Sequence, residues 1–202
     1  MNTIEVEGRR VAPSKVVCVG RNYVEHIEEL GNELPESMVV FLKPNSAITD
    51  RLMSGPFERH YEAEICFVVG HGEFCGVGFG LDLTKRALQS QLKSKGLPWE
   101  RSKAFDGAAV LGRFVSLASP EETLSLELEI DGERRQFGTT HEMIYPPALI
   151  LKEIGSFMTL EEGDVVMTGT PKGVGLVSSG AAFVGRIRSE GKLLTEESWR
   201  AV

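Results

Sequence analysis

The longest apolar runs in the chain, residues 38–42 (Met-Val-Val-Phe-Leu) and 65–69 (Ile-Cys-Phe-Val-Val), are short and built largely of strand-forming residues. A run of that length cannot carry a helix across a bilayer. The core must therefore be assembled from many short pieces, and most of them read as strands. Twenty-two glycines lie between these pieces and supply tight turns. No internal repeat, low-complexity stretch or Pro/Ser-rich linker divides the sequence, so residues 1–202 are expected to form one domain.

The pattern predicts strands at 15–19, 38–42, 62–69 and 164–168. A hairpin over 124–130 and 134–137 turns at Asp131-Gly132, a pair suited to a tight two-residue loop. A helix is expected over 23–30, with Asn22 as its cap, Glu25 in the capping-box position and Gly31 as its stop. A second is expected over 84–95, led in by 80–83 and ended by Gly96 and Pro98. A third covers 146–157, where Ile150, Leu151 and Ile154 form an apolar stripe. Residues 70–78 read as a short connection. Strands outnumber helices and do not alternate with them regularly, which predicts a β-rich α+β fold rather than a doubly wound sheet.

Composition removes several functions. Twenty-nine acidic residues against 22 basic ones give a net charge of −7, and no cluster of five Lys/Arg occurs. Neither nucleic acid nor an anionic membrane is an expected partner. The segment 1–7 carries acids where a signal peptide needs bases, so a cytoplasmic location is expected. Cys18, Cys66 and Cys75 are odd in number and lack a Cys-x-x-Cys spacing; Cys18 and Cys66 sit inside apolar runs, which predicts buried, reduced thiols rather than a disulfide or zinc site.

Several clusters can carry chemistry. On a strand, Glu62 and Glu64 share one face with Cys66 and Val68, about 7 Å apart. Two such carboxylates repel unless a cation or a proton is shared, and a hard divalent ion solves the problem. The same pattern also fits a solvated acidic edge. Asp82 lies between Leu81 and Leu83 at a strand-to-helix junction, as a cap or a third oxygen ligand. Arg86 and Gln89 lie one turn apart on the following helix, placed to hold a carboxylate or to face solvent. Lys103 is either a surface charge or a point charge for an enolate or carboxylate oxygen. His26 and Glu29 are spaced to form a hydrogen-bonded pair that readies an imidazole to accept a proton from water, or to face solvent. The segment 168–175 fails the phosphate-loop template, and neither a dinucleotide fingerprint nor a Gly-x-Ser-x-Gly elbow is present.

Taken in order, these blocks resemble the fumarylacetoacetate hydrolase family. They are Val16-Val17-Cys18-Val19-Gly20-Arg21-Asn22-Tyr23 with His26; Phe41-Leu42-Lys43-Pro44; Tyr61-Glu62-Ala63-Glu64; Leu81-Asp82-Leu83-Thr84 with Arg86 and Gln89; Lys95-Gly96-Leu97-Pro98-Trp99; Lys103-Ala104-Phe105-Asp106; and Gly163-Asp164-Val165-Val166 leading into 168–175. The resemblance covers about residues 14–177 and is nearest the small single-domain acylpyruvases. It implies a β-roll with flanking short helices, a homodimer, and Mg²⁺ or Mn²⁺ held by Glu62, Glu64 and Asp82. It implies that Lys103 is the active-site lysine, that His26 and Glu29 form a lid dyad, and that Arg86, Gln89 and the Thr170 turn contact a substrate carboxylate. Arg21, a further substrate-binding candidate, and Lys43 lie in matching blocks without an assigned role. Two departures stand out: the 70–78 connection is shorter than in many relatives, and the stretch after Val177 matches poorly.

The activity so implied is hydrolysis of the C–C bond of acylpyruvate-type 2,4-dioxo acids, releasing pyruvate through a metal-held enolate. The same residues suit oxaloacetate decarboxylation, oxaloacetate keto–enol tautomerisation, or isomerisation and decarboxylation of aromatic ring-cleavage products. A non-catalytic binder of a divalent ion or dicarboxylate is the remaining alternative.

Overall fold

The computed structural model describes residues 1–31, 33–55, 57–117, 119 and 122–202. In chain order its elements are β1 (Ile4–Val6), β2 (Arg9–Val11), β3 (Lys15–Gly20), α1 (Val24–Glu29), β4 (Val39–Pro44), β5 (Ile48–Thr49), β6 (His60–Tyr61), β7 (Ala63–Gly70) and β8 (Glu73–Asp82). These are followed by α2 (Arg86–Ser94), α3 (Glu100–Lys103), β9 (Ala109–Ser116), β10 (Leu124–Ile130), β11 (Glu133–Thr139), α4 (Pro147–Gly155), β12 (Val165–Met167), β13 (Gly175–Leu176), β14 (Ala182–Ser189) and β15 (Lys192–Arg200). The main sheet is curled, in the order β2-β1-β9-β8-β7-β12-β3-β4, with β5 paired to β9. A four-stranded sheet, β11-β10-β14-β15, packs against it, and β6 pairs with β13. This is the β-rich α+β architecture that the sequence predicts.

The period-2 pattern of β7 explains the layering. Ala63, Ile65, Phe67 and Val69 point into the core between the two sheets, with Leu126, Leu128 and Phe183. Cys66 and Val68 point the other way, into the curl of the main sheet, with Cys18, Leu111 and Met167. Each fully buried Ile or Phe stabilises this arrangement by about 1.5–3 kcal/mol. Both faces of β7 are covered, so Glu64 has no solvated edge to occupy.

The largest difference from expectation is β8. Residues 70–78 are not a loose connection. The chain turns at His71-Gly72, both at positive φ, and pairs antiparallel with β7 from Glu73 onward. The glycines that suggest turns are packing positions. A Cβ at Gly80 would lie 2.6 Å from Cys66 Sγ, and one at Gly76 would lie 2.9 Å from Val68 Cγ1. Only bare backbone lets β8 lie this close to the side chains of β7.

Helix starts also differ. α1 is preceded by Tyr23, which makes no side-chain cap. Asn22 is buried instead, donating from Nδ2 to the carbonyls of Thr168 and Tyr145 and accepting from the Tyr145 N–H. Glu25 pairs with Lys172 rather than closing a capping box. α2 begins at Arg86 because Asp82 still belongs to β8 and Thr84 bridges to His60. α4 ends at Gly155, short of the expected 157. The β10–β11 hairpin turns at Asp131-Gly132, both at positive φ, as the pair predicts. Cys18 and Cys66 are buried, as their apolar runs predict, and Cys75 is exposed.

Candidate metal centre and catalytic cleft

The strand pairing of β7 and β8 builds the acidic centre. Their register sets Glu64 opposite Gly80, and the Asp82 N–H donates to the Glu62 carbonyl at 2.8 Å. Carboxylate oxygens of Glu62, Glu64 and Asp82 thereby come within 4.8 Å of one another. All three residues are buried, Asp82 completely. Burial at such spacing is unfavourable unless charge is matched.

The matching groups are cations from three elements. The Lys103 ammonium, at the end of α3, lies 2.8 Å from Glu62 and 2.7 Å from Asp82. It also sits 4.9 Å from the centre of the Phe41 ring. Lys43, fully buried on β4, lies 2.7 Å from Asp82 and donates to the Lys103 carbonyl. Arg86 pairs with Glu62, and the Thr84 hydroxyl donates to the same carboxylate at 3.0 Å. Burial pushes the Glu62 carboxyl up, but Lys103 and Arg86 overcome it and hold the group well below the ordinary range. Burial alone would lower the Lys103 pKa, yet Asp82 and Glu62 raise it, so the ammonium stays charged.

Glu64 is treated differently. Its carboxylate accepts the Gly169 N–H at 2.7 Å. Burial, then the charges of Asp82 and Glu62, push its pKa well above the usual value. Glu64 is the one carboxylate of the three without a lysine or arginine partner among the described ion pairs. The donors of the three carboxylates are all hard oxygens, a set that fits Mg²⁺ or Mn²⁺.

The centre opens into a narrow cleft of about 50 Å³, whose walls include Arg21, His26, Phe41, Arg86, Gln89 and Trp99. His26 is buried on α1, and its Nδ1 lies 3.1 Å from Glu29 Oε2. The other Glu29 oxygen accepts the Gly173 N–H at 3.0 Å. Arg86 donates from Nη1 to Gln89 Oε1 at 3.0 Å, as their one-turn spacing predicts. Thr170 lies at the cleft floor, where its hydroxyl donates to the Ala63 carbonyl and accepts from Gln136, both at 2.8 Å. The residues singled out in the sequence therefore surround one cleft, with Glu29 joining through His26.

Three residues were not assigned work by sequence. Lys43 shares a strand face with Val39 and Phe41, and a lysine on an apolar strand face is the signal that marks it. Thr84 follows the Leu-Asp-Leu block and carries no mark of its own. Gln136 accepts from the Ala63 N–H at 2.9 Å and donates to Thr170 and to the Pro171 carbonyl, tying β7 to the turn beyond β12. It stands beside Arg134 and Arg135 in a surface hairpin, and nothing local distinguishes it.

A curled β fold that gathers three buried carboxylates, two buried lysines and a His–Glu pair around one cleft defines a class of β-rich enzymes with an acidic metal-type centre. Residues 15–196 match the family model described as fumarylacetoacetate (FAA) hydrolase C-terminal. The chain belongs to the fumarylacetoacetate hydrolase family. It is 40% identical over 187 residues to an oxaloacetate tautomerase, YcgM, of Escherichia coli, a match covering 83% of this chain and 85% of that one. A solved structure of a fumarylacetoacetate isomerase/hydrolase candidate from Oleispira antarctica superposes with a TM-score of 0.92 at 36% identity, covering 100% of both chains. A fumarylpyruvate hydrolase from Pseudomonas aeruginosa, solved in complex with Mn²⁺ and pyruvate, superposes with a TM-score of 0.87 at 30% identity, covering 100% of this chain and 95% of that one. No described helix is long and apolar enough to cross a membrane.

Proposed function

We propose that the chain is a divalent-metal-dependent enzyme of small 2-oxo acids, and that keto–enol tautomerisation of oxaloacetate is its first reaction. The observation that carries this reading is the buried Glu62–Glu64–Asp82 set facing the same cleft as the His26–Glu29 pair. The similarity to a tautomerase at 40% identity supports the choice of reaction. C–C hydrolysis of acylpyruvates is the second reading, favoured by the His26–Glu29 pair, which suits activation of a water. Decarboxylation of oxaloacetate needs the same groups.

Glu62, Glu64 and Asp82 would hold the metal. A divalent ion there supplies Lewis-acid stabilisation of charge that develops on a 2-oxo acid as it enolises. The side chains supply the rest. Arg86 and Gln89 hold the substrate carboxylate at the start of α2. His26, oriented by Glu29, takes the proton from C3 of the keto form and delivers it to the C2 oxygen, giving the enol, with the reverse transfer regenerating the ketone; in hydrolysis it takes a proton from water instead. Lys103 stabilises the negative oxygen. Arg21 and the Thr170 turn complete the anion pocket.

We further place the protein in the cytoplasm as a homodimer. The free, buried thiols of Cys18 and Cys66 support the first. Exposed Leu42, Leu97 and Phe157 near β4, the terminal strand of the main sheet, support the second.

The test is turnover by EDTA-stripped protein restored with Mg²⁺ or Mn²⁺, on oxaloacetate, acetylpyruvate and fumarylpyruvate in parallel. Metal-dependent tautomer exchange without pyruvate release is expected for oxaloacetate. Pyruvate from the acylpyruvates establishes the hydrolase, and pyruvate from oxaloacetate the decarboxylase. Metal binding without turnover on all three would overturn the reading.

A further inference from the structure

The three cations that neutralise the triad are not equivalent. Lys43 and Lys103 are 0% and 3% exposed, and Lys43 is further held by the Lys103 carbonyl. They form a fixed part of the core. Arg86 is the first residue of α2, its side chain is 19% exposed, and it reaches Glu62 from the cleft wall. Its Nε is buried without a hydrogen-bond partner, and Nη1 is shared with the side chain of Gln89. A buried, unpaired guanidinium nitrogen is costly, so something else is needed to complete its bonding. The same guanidinium thus occupies a carboxylate that a metal would need, and with Gln89 it lines the cleft.

We propose that Arg86 is a placeholder counter-ion: in the metal-free protein it neutralises Glu62, and it leaves that carboxylate when a divalent cation is taken up, which presents the guanidinium to the carboxylate of an incoming 2-oxo acid. This rests on the metal-centre reading above and adds an order to it. Two cations cannot share the Glu62 oxygen without repulsion, so Arg86 and the metal compete. A guanidinium displaced from Glu62 is a planar donor fork without its anion, which suits a carboxylate. Metal and anionic ligand then bind with positive coupling, each raising the affinity for the other by the same factor.

The experiment uses the full chain stripped of metal. Mn²⁺ affinity is measured by electron paramagnetic resonance for wild type, Arg86→Gln and Lys93→Gln, followed by oxalate affinity at saturating Mn²⁺. Lys93, another cation of the cleft wall with its ammonium 5.9 Å from the centre of the Trp99 ring, controls for general electrostatics. Loss of a direct competitor should tighten Mn²⁺ roughly tenfold in Arg86→Gln and weaken oxalate by a similar factor. Lys93→Gln should change Mn²⁺ affinity less than about twofold, because a more distant charge is screened. A merely structural arginine would weaken both ligands together. On the wild type, the Arg86 side-chain Nε–H resonance should shift when Mg²⁺ is added without any anion, and this decides the matter if the variant does not fold. Unchanged or weaker Mn²⁺ binding by folded Arg86→Gln, or an Nε–H signal indifferent to Mg²⁺, overturns the inference alone. Failure of wild type to bind Mn²⁺ overturns the metal-centre reading as well.

Discussion

The carboxylate centre and the His26–Glu29 pair face each other across one cleft but rest on different foundations. The first stands on β7 and β8, which pair along most of their lengths and are buried on both faces. The second stands on a six-residue helix, too short to be stable alone. α1 is fastened to the turn after β12 by Glu29 on the Gly173 N–H and by Glu25 on Lys172, and the latter two side chains are more than half exposed. An exposed ion pair of that kind contributes about 0–1 kcal/mol. The acidic centre is therefore set by the same packing that folds the protein. The His26–Glu29 pair is held by a few side-chain contacts, so the two regions should respond differently to mutation.

The largest effect should come from Asp82→Ala. It removes one of the three proposed metal ligands and leaves Lys43 and Lys103 buried without their shared carboxylate. Breaking such a set costs about 3–5 kcal/mol, or roughly 10 °C in Tm for a chain of this size. Calorimetry and Mn²⁺ titration should show both stability and metal affinity falling together.

His26→Ala should do the reverse. The side chain belongs to the weakly anchored region, so Tm and Mn²⁺ affinity should stay near wild type. Turnover should drop by roughly 10²–10⁴, the usual contribution of a positioned acid–base group. A Tm loss as large as that of Asp82→Ala would break the comparison.

The smallest effect sharpens the account of the core. Asp164, fully buried just before β12, takes hydrogen bonds from Lys15, Ser14 and the Glu161 N–H. Burial alone would raise its pKa, but these bonds more than offset that and lower it. Its unfolded value is about 3.9, so the ionised form contributes stability above that pH and the contribution is lost as pH falls through the lower folded value. Asp164→Asn should cost about 1–3 kcal/mol at neutral pH, with a smaller difference from wild type in strong acid. Urea melts across pH 2–7 measure it. An equal deficit at every pH would remove the charge from the explanation.

Much of this was legible from local pattern. The alternation of 62–69 places Glu62 and Glu64 on one face, the spacing of His26 and Glu29 predicts their contact, and Asp131-Gly132 predicts its hairpin. β8 was hidden because Gly76, Gly78 and Gly80 read as turn residues, while their role is to let one strand lie against the side chains of another. Asn22 reads as a cap because capping is a local signal, whereas its partners, Thr168 and Tyr145, are far along the chain.

The sequence by itself determined the strand-rich class, the carboxylates on one strand face and the residue types that chemistry could use, since those follow from side-chain period and turn preference. The family resemblance adds Asp82 to Glu62 and Glu64; only the tertiary structure decided how closely the three meet, that Lys43 and Lys103 neutralise them, and that Gln136 braces the turn beneath. Each of those contacts crosses between elements distant in sequence. Burial then gives the charges their effect, because a carboxylate that water would screen at the surface must find its counter-ion inside the fold.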